Sequence, residues 1–529
     1  MIKFYCHFLF IFLCSALPSY SQSWGLDESF GTNGIKVINS DFNDEAHCVA
    51  VDANNKILVG GFFAGPFMAT PEDFTIIRLN DNGSFDNTFG NNGKVIVSVF
   101  THGGKAQKMK VLEDGKILVA GIANGASNCR TLCVVKLNSN GSLDESFNNT
   151  GIARYSTCLG NLDYKLHLTH LDIESSGKIV VFAWREYGPS ALGLIMKLNH
   201  DGTFDTTFDE DGLLGIDGLA IFQAQLSSNS KYLINRFSRF VRILSNGELD
   251  TSFGTNGEGD ISGFRPFTFF EDNLGKIHLL GYGFNSQSLL GSMGLSLAEL
   301  NHNGLKNSAF GQNGIKGHGV YCDNGTLRFK RYFNLQNQFV GLGSTQACSG
   351  CTPVCSFSDA PNPCINITST NTYDFIAYFF KSDGSLEDFG QYGSIIIPVS
   401  TTRNDEAYDG VIDNNGRIIM VGYVSTDVSQ YYRDFAIVRL KKDVGTGVEE
   451  KMKESFSLYP NPGSGIFHVD LNSHVNQVDV KVTDMTGKIV FSGTENSSFK
   501  LNIENAPEGV YLLELINGND VVRRRIVKQ

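Results

Sequence analysis

The chain has 529 residues, 41% of them hydrophobic, too many for one simple core but enough for a large repeat array with an appendage. With 57 Gly and 40 Phe against 8 Met, turns and strands are favoured over helices. A net charge of −12, with no basic stripe ahead of the last few residues, excludes a nucleic-acid platform.

The N-terminus reads as an export signal over residues 1–21. Lys3 supplies the positive start, and Phe8 to Leu13 form an apolar run ahead of the small residues Ser15, Ala16, Ser19 and Ser21. Leu13 ahead of Cys14 argues against a lipid anchor, because a lipidated Cys follows a small residue. No later stretch reaches the roughly 18 apolar residues of a membrane span.

From residue 24 onward one pattern recurs. Leu26-Asp27-Glu28-Ser29-Phe30-Gly31-Thr32-Asn33-Gly34 has cognates centred on Phe89, Phe147, Phe208, Phe253, Phe310 and Phe389, spaced by 59, 58, 61, 45, 57 and 79 residues. Between these marks lie an extended stretch, a second one such as Ala46 to Asp52, and a Gly/Asn turn leading into an apolar run (Asn55-Lys56-Ile57, Gly115-Lys116-Ile117). A last strand such as Phe74 to Asn80 completes the unit. Four strands per repeat without helical periodicity predict propeller blades, one following each of the seven marks. The expected fold is all-β: a seven-bladed β-propeller at 24–443, followed by a small C-terminal β-sandwich. The last repeat ends its own strand near Leu440, so residues 24–34 are the candidates to pack there and close the ring.

Within the marks, Asp27, Asp86, Asp144, Asp205 and Asp250 are expected to accept backbone N–H bonds in turns, with the following Phe wedged between blades. Two marks depart from the pattern. Leu305-Lys306 replaces the Asp with an extra residue before Phe310, and Leu386-Glu387-Asp388-Phe389 is one residue short. Calcium at Asn80-Asp81-Asn82-Gly83 is the alternative to a structural turn, but the terminal bidentate Glu of an EF-hand loop is missing. The pattern, with Gly-Lys-Ile-Leu-Val-x-Gly after it, resembles the delta-60 repeat of exported bacterial β-propellers. That family carries no agreed catalytic residues to transfer.

Nine cysteines follow the signal. Cys48 lies in an apolar strand and reads as a lone buried thiol. Cys129, Cys133, Cys158, Cys322, Cys348, Cys351, Cys355 and Cys364 are candidates for disulfides in an oxidising compartment, and zinc on the last four is the alternative. His167-Leu168-Thr169-His170 is the one close histidine pair. Positions three apart in a strand face opposite sides, which makes it a poor metal clamp. No nucleophile elbow, His-Glu-x-x-His or phosphate loop occurs, and no cofactor is expected.

The separation from Lys56, or its counterpart, to the end of the next strand ranges from 14 to 43 residues, whereas the stretch from there to the following Phe is 8 or 9. Variation therefore concentrates in one set of loops. These carry Trp184, Arg185 and Tyr187, then Tyr431, Tyr432 and Arg433, and the cysteine insertion, which together form the candidate ligand face. Binding of an extracellular glycan or protein is the expected function. The alternative is a hydrolase or lyase with catalytic residues gathered from several blades.

Residues 444–455 read as a linker, and 456–529 as a separate module. Val478, Val480 and Val482 share one strand face with Lys481 and Thr483 on the other, and Asp484-Met485-Thr486-Gly487-Lys488 reads as a hairpin turn. Together with Tyr459-Pro460-Asn461-Pro462, Glu508-Gly509-Val510-Tyr511 and the basic end Arg523-Arg524-Arg525, these features resemble the type A sorting domain of the type IX secretion system. That resemblance implies the secretion machinery as partner of residues 456–529, and delivery to the medium or the outer-membrane surface.

Overall fold

The structure is a computed structural model. It describes residues 23–529 except 40–42, 65–72, 101, 126–129, 157–164, 189, 228–229, 237–238, 285–292, 319–326, 336–337, 347–372, 389–392, 401–402, 427–431, 444–455, 460, 462, 472–477, 485–486, 496–497 and 518–519. The signal segment and the Cys348–Cys364 insertion therefore lie outside the described residues. No helix occurs among those described, and none is long and apolar enough to cross a membrane. Residues 23–443 form one compact unit, and the chain from Val444 to Gln529 lies in another.

Seven antiparallel sheets make up the first unit. Sheet 1 runs Asp44–Val51, Ile57–Phe63, Asp73–Leu79 and Lys94–Val97 in spatial order. Sheets 2 to 7 begin with Gly104–Val111, Lys165–Ile173, Gln223–Leu226, Phe264–Glu271, Leu327–Leu335 and Asp405–Ile412. These first strands are the inner ones. Those of sheets 1 to 4 pack on one another in turn, as do those of sheets 5 to 7, and the inner strand of sheet 7 packs back on that of sheet 1. Between sheets 4 and 5, Gln223 Nε2 donates to Thr268 Oγ1 at 3.0 Å and Ser227 Oγ donates to Glu271 at 2.9 Å, while Phe240 meets Phe269 edge-on at 4.8 Å in a shared apolar cluster.

The phase of the repeat differs from the sequence expectation. The strand after each mark does not open the next sheet but completes the preceding one, as Lys94–Val97 does on Asp73–Leu79. Each sheet straddles its mark. The first mark consequently belongs to the last sheet, where Ser23–Leu26 and Ile35–Ile38 both pair antiparallel with Arg433–Asp443. The two ends of the unit are joined in one sheet, which removes an exposed edge.

The marks are polar hubs. Asp27 Oδ1 accepts from Ser29 N and Oγ, and Asp86, Asp144, Asp205 and Asp250 repeat the arrangement with the hydroxyl residue two positions on. Each also takes a cation from the turn ahead of the second strand, as in Lys116–Asp144 at 2.9 Å and Lys231–Asp250 at 2.8 Å. Several take a second cation from the third strand: Arg78–Asp86 at 2.9 Å, Arg242–Asp250 at 2.7 Å, Arg439–Asp27 at 2.8 Å. Lys116 and the Ser146 hydroxyl hold the Asp144 carboxyl down to about 2.

The supposed irregularity at Phe310 dissolves in the structure, because Asn307 occupies the Asp position and Ala309 N donates to its Oδ1 at 3.2 Å. The charge has moved instead. Glu299 stands where other sheets carry Arg or Lys, and Lys276 pairs with it at 2.9 Å. Phe30, Phe89, Phe147, Phe208 and Phe253 are fully buried, and the rings of Phe30, Phe89, Phe147 and Phe253 close over a glycine in the turn ahead of the next mark (Gly83, Gly141, Gly202, Gly304) where a Cβ would intrude; at Gly247 a Cβ would meet Leu214 instead. Phe389 lies outside the described residues.

One further glycine has a mechanical cause. Inner strands of six sheets carry a β-bulge at a common position, at His47, Gln107, Thr169, Phe267, Lys330 and Tyr408. The bulge drives the carbonyl of a neighbouring inner-strand residue at the second strand, where a Cβ on Gly61, Gly121, Gly281, Gly343 or Gly422 would run into it. Sheet 3 carries Ala183 there, opposite Leu168. Gly121→Ala is expected to cost about 1–3 kcal/mol, and Ala183→Gly less than about 1 kcal/mol. Thermal unfolding of both variants checks this, and a neutral Gly121→Ala would remove steric conflict as the reason for the glycine.

Cysteines divide as follows. Cys48 is buried and free, as expected. Cys133, expected in a disulfide, is also a buried free thiol, and burial pushes it up to about 12. Its strand position turns it into the core beside Phe74 and Val119. No disulfide occurs among the described residues, and Cys129, Cys158, Cys322, Cys348, Cys351, Cys355 and Cys364 lie outside them.

The C-terminal module is a β-sandwich of a three-stranded and a four-stranded sheet. Val478, Val480 and Val482 point into its core with Phe467, Val469 and Leu501 from the opposing sheet. Asn461 explains part of the Tyr-Pro-Asn-Pro signature. Its amide donates to Arg525 O at 2.7 Å and accepts from Val527 N at 2.9 Å, which fastens the basic last strand. Gly487, at φ 87°, closes the Asp484–Lys488 turn.

Candidate functional site

The connections between strands leave the sheets at two opposite ends, which make two faces. On one face the connections ahead of the second strands are five residues long in six sheets (52–56, 112–116, 174–178, 227–231, 272–276, 413–417). Asn55, Gly115, Gly177, Gly275 and Gly416 adopt positive φ there, which restricts the turn chemistry. On the other face the connections run 64–72, 125–129, 188–189, 237–238, 285–292, 347–372 and 426–432.

At the rim of that variable face, sheets 6, 7 and 1 carry a continuous arc of ion pairs and rings. Arg433 donates to Glu45 Oε1 at 2.5 Å, and its guanidinium carbon lies 4.1 Å from the Tyr423 ring centroid. Tyr423 Oη donates to Glu406 at 3.4 Å, and Arg328 joins Glu406 at 3.1 Å and Tyr373 Oη at 3.4 Å. His47 stacks on Tyr408 at 4.7 Å with 2° between planes. Burial alone would raise the Glu45 carboxyl, but His47, Arg433 and Lys105 outweigh it and hold it down to about 2. Burial lifts the Tyr423 hydroxyl to about 12 against the opposing Arg433 charge. Glu45 thus stays ionised and Tyr423 protonated near neutrality.

Of the sequence-derived candidates, Arg433 belongs to this arc and Tyr432, 50% exposed, adjoins it. Tyr431 lies outside the described residues. Trp184 belongs to a separate cluster between sheets 3 and 4, stacked on His167 at 4.2 Å and 5.6 Å from Phe222. Arg185 and Tyr187 follow in the same strand, paired with Leu192 and Ser190. The structure brings Trp184 and Arg433 to one face but not to one cluster. Glu45, His47, Tyr408, Glu406 and Arg328 escaped the sequence reading. Their signal was a recurring polar position in each inner strand, which the repeat's apolar runs obscured.

The histidine pair needs correcting. The bulge at Thr169 restores His167 and His170 to one strand face, against Trp184 and Phe182 respectively. His170 then faces Asp172 at 3.3 Å and His167 faces Glu186 at 3.5 Å. Among the described residues no three His, Cys, Asp or Glu side chains gather as a metal would require.

Successive four-stranded antiparallel sheets, followed in the chain by a small sandwich, define a β-propeller protein bearing a separate C-terminal module. Residues 53–89, 112–147 and 174–208 match the beta-propeller domain of unknown function DUF5122, and residues 457–529 match the Secretion system C-terminal sorting domain. The chain therefore carries delta-60-like propeller repeats and a sorting tail, and it is exported through the type IX system to the cell surface or beyond. No curated protein matches it.

Among solved structures, a protein of unknown function from Dyadobacter fermentans DSM 18053 is similar at 13% identity and TM-score 0.38, over 77% of this chain and 99% of that one. Pyrococcus horikoshii acylaminoacyl peptidase is similar at 8% identity and TM-score 0.38, over 81% of this chain and 58% of the other. A GH43_1 enzyme from Xanthomonas citri follows at 10% identity and TM-score 0.26, over 68% and 94%. At such scores these likenesses assign neither a reaction nor a ligand.

Proposed function

We propose that residues 24–443 form a single seven-bladed ring, joined through a linker at 444–455 to the sorting domain at 456–529. The ring serves as a non-enzymatic binding module for an extracellular glycan or protein. What supports this reading is the asymmetry of its faces: five-residue turns in six of seven sheets and a two-residue one in the other on one face, connections from 2 to 26 residues on the other. A rigid scaffold with one variable face is the arrangement binding proteins use, and Trp, Tyr and Arg are the side chains enriched at hot spots. The ligand face is the variable one, with Trp184, Arg185, Tyr187, Tyr431, Tyr432 and Arg433 on it and the Glu45–Arg433 arc at its rim.

A glycan and peptide array on the full chain identifies the ligand. Tyr432→Ala is then expected to weaken binding about tenfold or more, whereas Leu274→Ser, 79% exposed in a uniform turn, leaves it unchanged. The opposite ranking would move the site to the uniform face.

A further inference from the structure

We propose that sheet 5 is cross-linked by an intramolecular isopeptide bond between Lys276 Nζ and Asn307 Cγ, formed with release of ammonia and with Glu299 as the catalytic residue.

Three positions of the polar hub change together in this sheet. In sheets 1 to 4 an apolar residue of the second strand is paired with a cation of the third: Leu58 with Arg78, Leu118 with Lys136, Val180 with Lys197, Leu233 with Arg242. In sheet 5 the corresponding pair is His278 and Glu299. The mark changes with it, because Asn307 stands where those sheets carry Asp86, Asp144, Asp205 and Asp250. Only the turn lysine is kept. Lys116, Lys178 and Lys231 meet their aspartates at 2.9, 2.7 and 2.8 Å beside a second cation, whereas Lys276 meets a carboxylate beside a neutral amide.

The groups that an amide exchange needs therefore converge. Lys276 Nζ lies 2.9 Å from Glu299 Oε1, and Asn307 Nδ2 donates to the same oxygen. Asn307 Oδ1 accepts from Ala309 N at 3.2 Å, an N–H placed for the negative charge that develops on Oδ1 when the amide carbon is attacked. Glu299 Oε2 lies 3.4 Å from His278 Nδ1. His278 is anchored in turn on Asp272 at 3.0 Å, with the Phe270 and Phe339 ring centroids 4.8 and 4.7 Å from its own. Glu299 is only 5% exposed, so it exchanges protons with both reactants away from bulk water. Reactants held in this way reach effective concentrations of about 10⁵ M or more. The Lys276 side chain keeps 39% of its exposure, which opens a path for ammonia to solvent.

The step balances without a co-reactant. Glu299 takes a proton from the Lys276 ammonium, the freed amine attacks Asn307 Cγ, and Glu299 returns the proton to Nδ2 as the C–N bond breaks. The remaining extra proton on the new amide leaves with the ammonia. One ammonium and one primary amide become one secondary amide and one ammonium ion, Glu299 is ionised at the start and the end, and nothing is oxidised or reduced. The bond ties the turn ahead of the second strand to the mark that follows the third.

Intact-mass spectrometry of the full chain, followed by mapping of a tryptic digest, tests the proposal. Most molecules are expected to weigh one ammonia less than their sequence, and the digest should contain a branched peptide joining Lys276 to Asn307. Glu299→Gln should restore the unmodified mass, as should Lys276→Arg, which keeps the charge that pairs with Glu299. Circular dichroism checks folding, and Lys276→Arg keeps the comparison decisive if Glu299→Gln does not fold. A parent chain of unmodified mass overturns the proposal. So does an ammonia loss confined to linear peptides, because a succinimide at an Asn-Gly pair loses the same mass without a branch. Persistence of the branched peptide in folded Glu299→Gln overturns the role given to Glu299.

Discussion

Arg439→Met is expected to lower the stability of the propeller by about 3–5 kcal/mol, the range for stripping one partner from a buried ion pair. Arg439 is fully buried where the chain's first strands meet its last propeller sheet. Its Nε donates to Asp27 at 2.8 Å, one Nη to the Asp81 carbonyl at 2.5 Å and the other to Ser29 Oγ at 3.1 Å, with the guanidinium carbon 4.7 Å from the Phe30 ring centroid. One side chain thus ties the third strand of sheet 7, the first mark and the second mark together. Methionine fills the volume but leaves Asp27, beside its Ser29 bonds, with only Arg417 and Lys441 as cations, at 3.6 and 3.8 Å. Urea unfolding measures the loss, and proteolysis tests its place, because cleavage should begin within residues 23–38. Arg78→Met removes the same device from sheet 1 and should destabilise without exposing that segment. A loss at Arg439 below about 1 kcal/mol would mean that strand pairing alone closes the unit.

The second large effect concerns pH. Asp405 is wholly buried at the start of an inner strand. Its Oδ2 accepts from Ser400 N at 2.8 Å, while Oδ1 has no hydrogen-bond partner. Burial, opposed by the Ser400 bond and reinforced by the Asp374 charge, pushes its carboxyl up to about 7. Burial lifts Asp374 to about 6. A group whose folded pKa is raised holds protons the unfolded chain releases, so its stabilising contribution is full below about pH 4 and is lost as pH rises through 7. Three units correspond to about 4 kcal/mol as an upper bound, and local relaxation brings the expectation to about 2–4 kcal/mol. Asp405→Asn keeps an acceptor for Ser400 and carries no charge. At about pH 8 it should be more stable than the parent by roughly 2 kcal/mol, and at about pH 4 nearly equal to it. Unfolding midpoints across that range decide the matter, and parallel pH profiles for the two proteins would show that Asp405 does not titrate there.

The candidate site was legible only in part. Arg433 and Trp184 stood out as Arg and Trp beside length-variable loops, and both lie on the variable face. The partners that give Arg433 its geometry, Glu45 and Tyr423, are 388 residues apart from it in one case and in an apolar run in the other. The common level of the inner-strand bulges, at Gln107, Lys330 and Tyr408 among others, was invisible for a different reason. A β-bulge leaves no mark in the residues that form it, yet it shifts every later side chain to the other face. The same shift overturned the reading of His167 and His170.

By itself the sequence determined the repeat, its strand content, the turn residues at positive φ and the sorting module, because each is encoded within a few neighbouring residues. Asp27 and its cognates were readable as turn acceptors since the hydroxyl they bind lies two positions on. Tertiary structure alone decided where each sheet begins. A tandem repeat reads identically in every frame, so only the pairing of Lys94–Val97 with Asp73–Leu79, and of Ile35–Ile38 with Arg433–Asp443, sets the phase. It also decided that Cys133 is a core thiol, since a cysteine's redox fate follows from what its strand face packs against. Local hydrogen bonding is written in local sequence; edge pairing and bulge placement depend on residues brought together from distant strands.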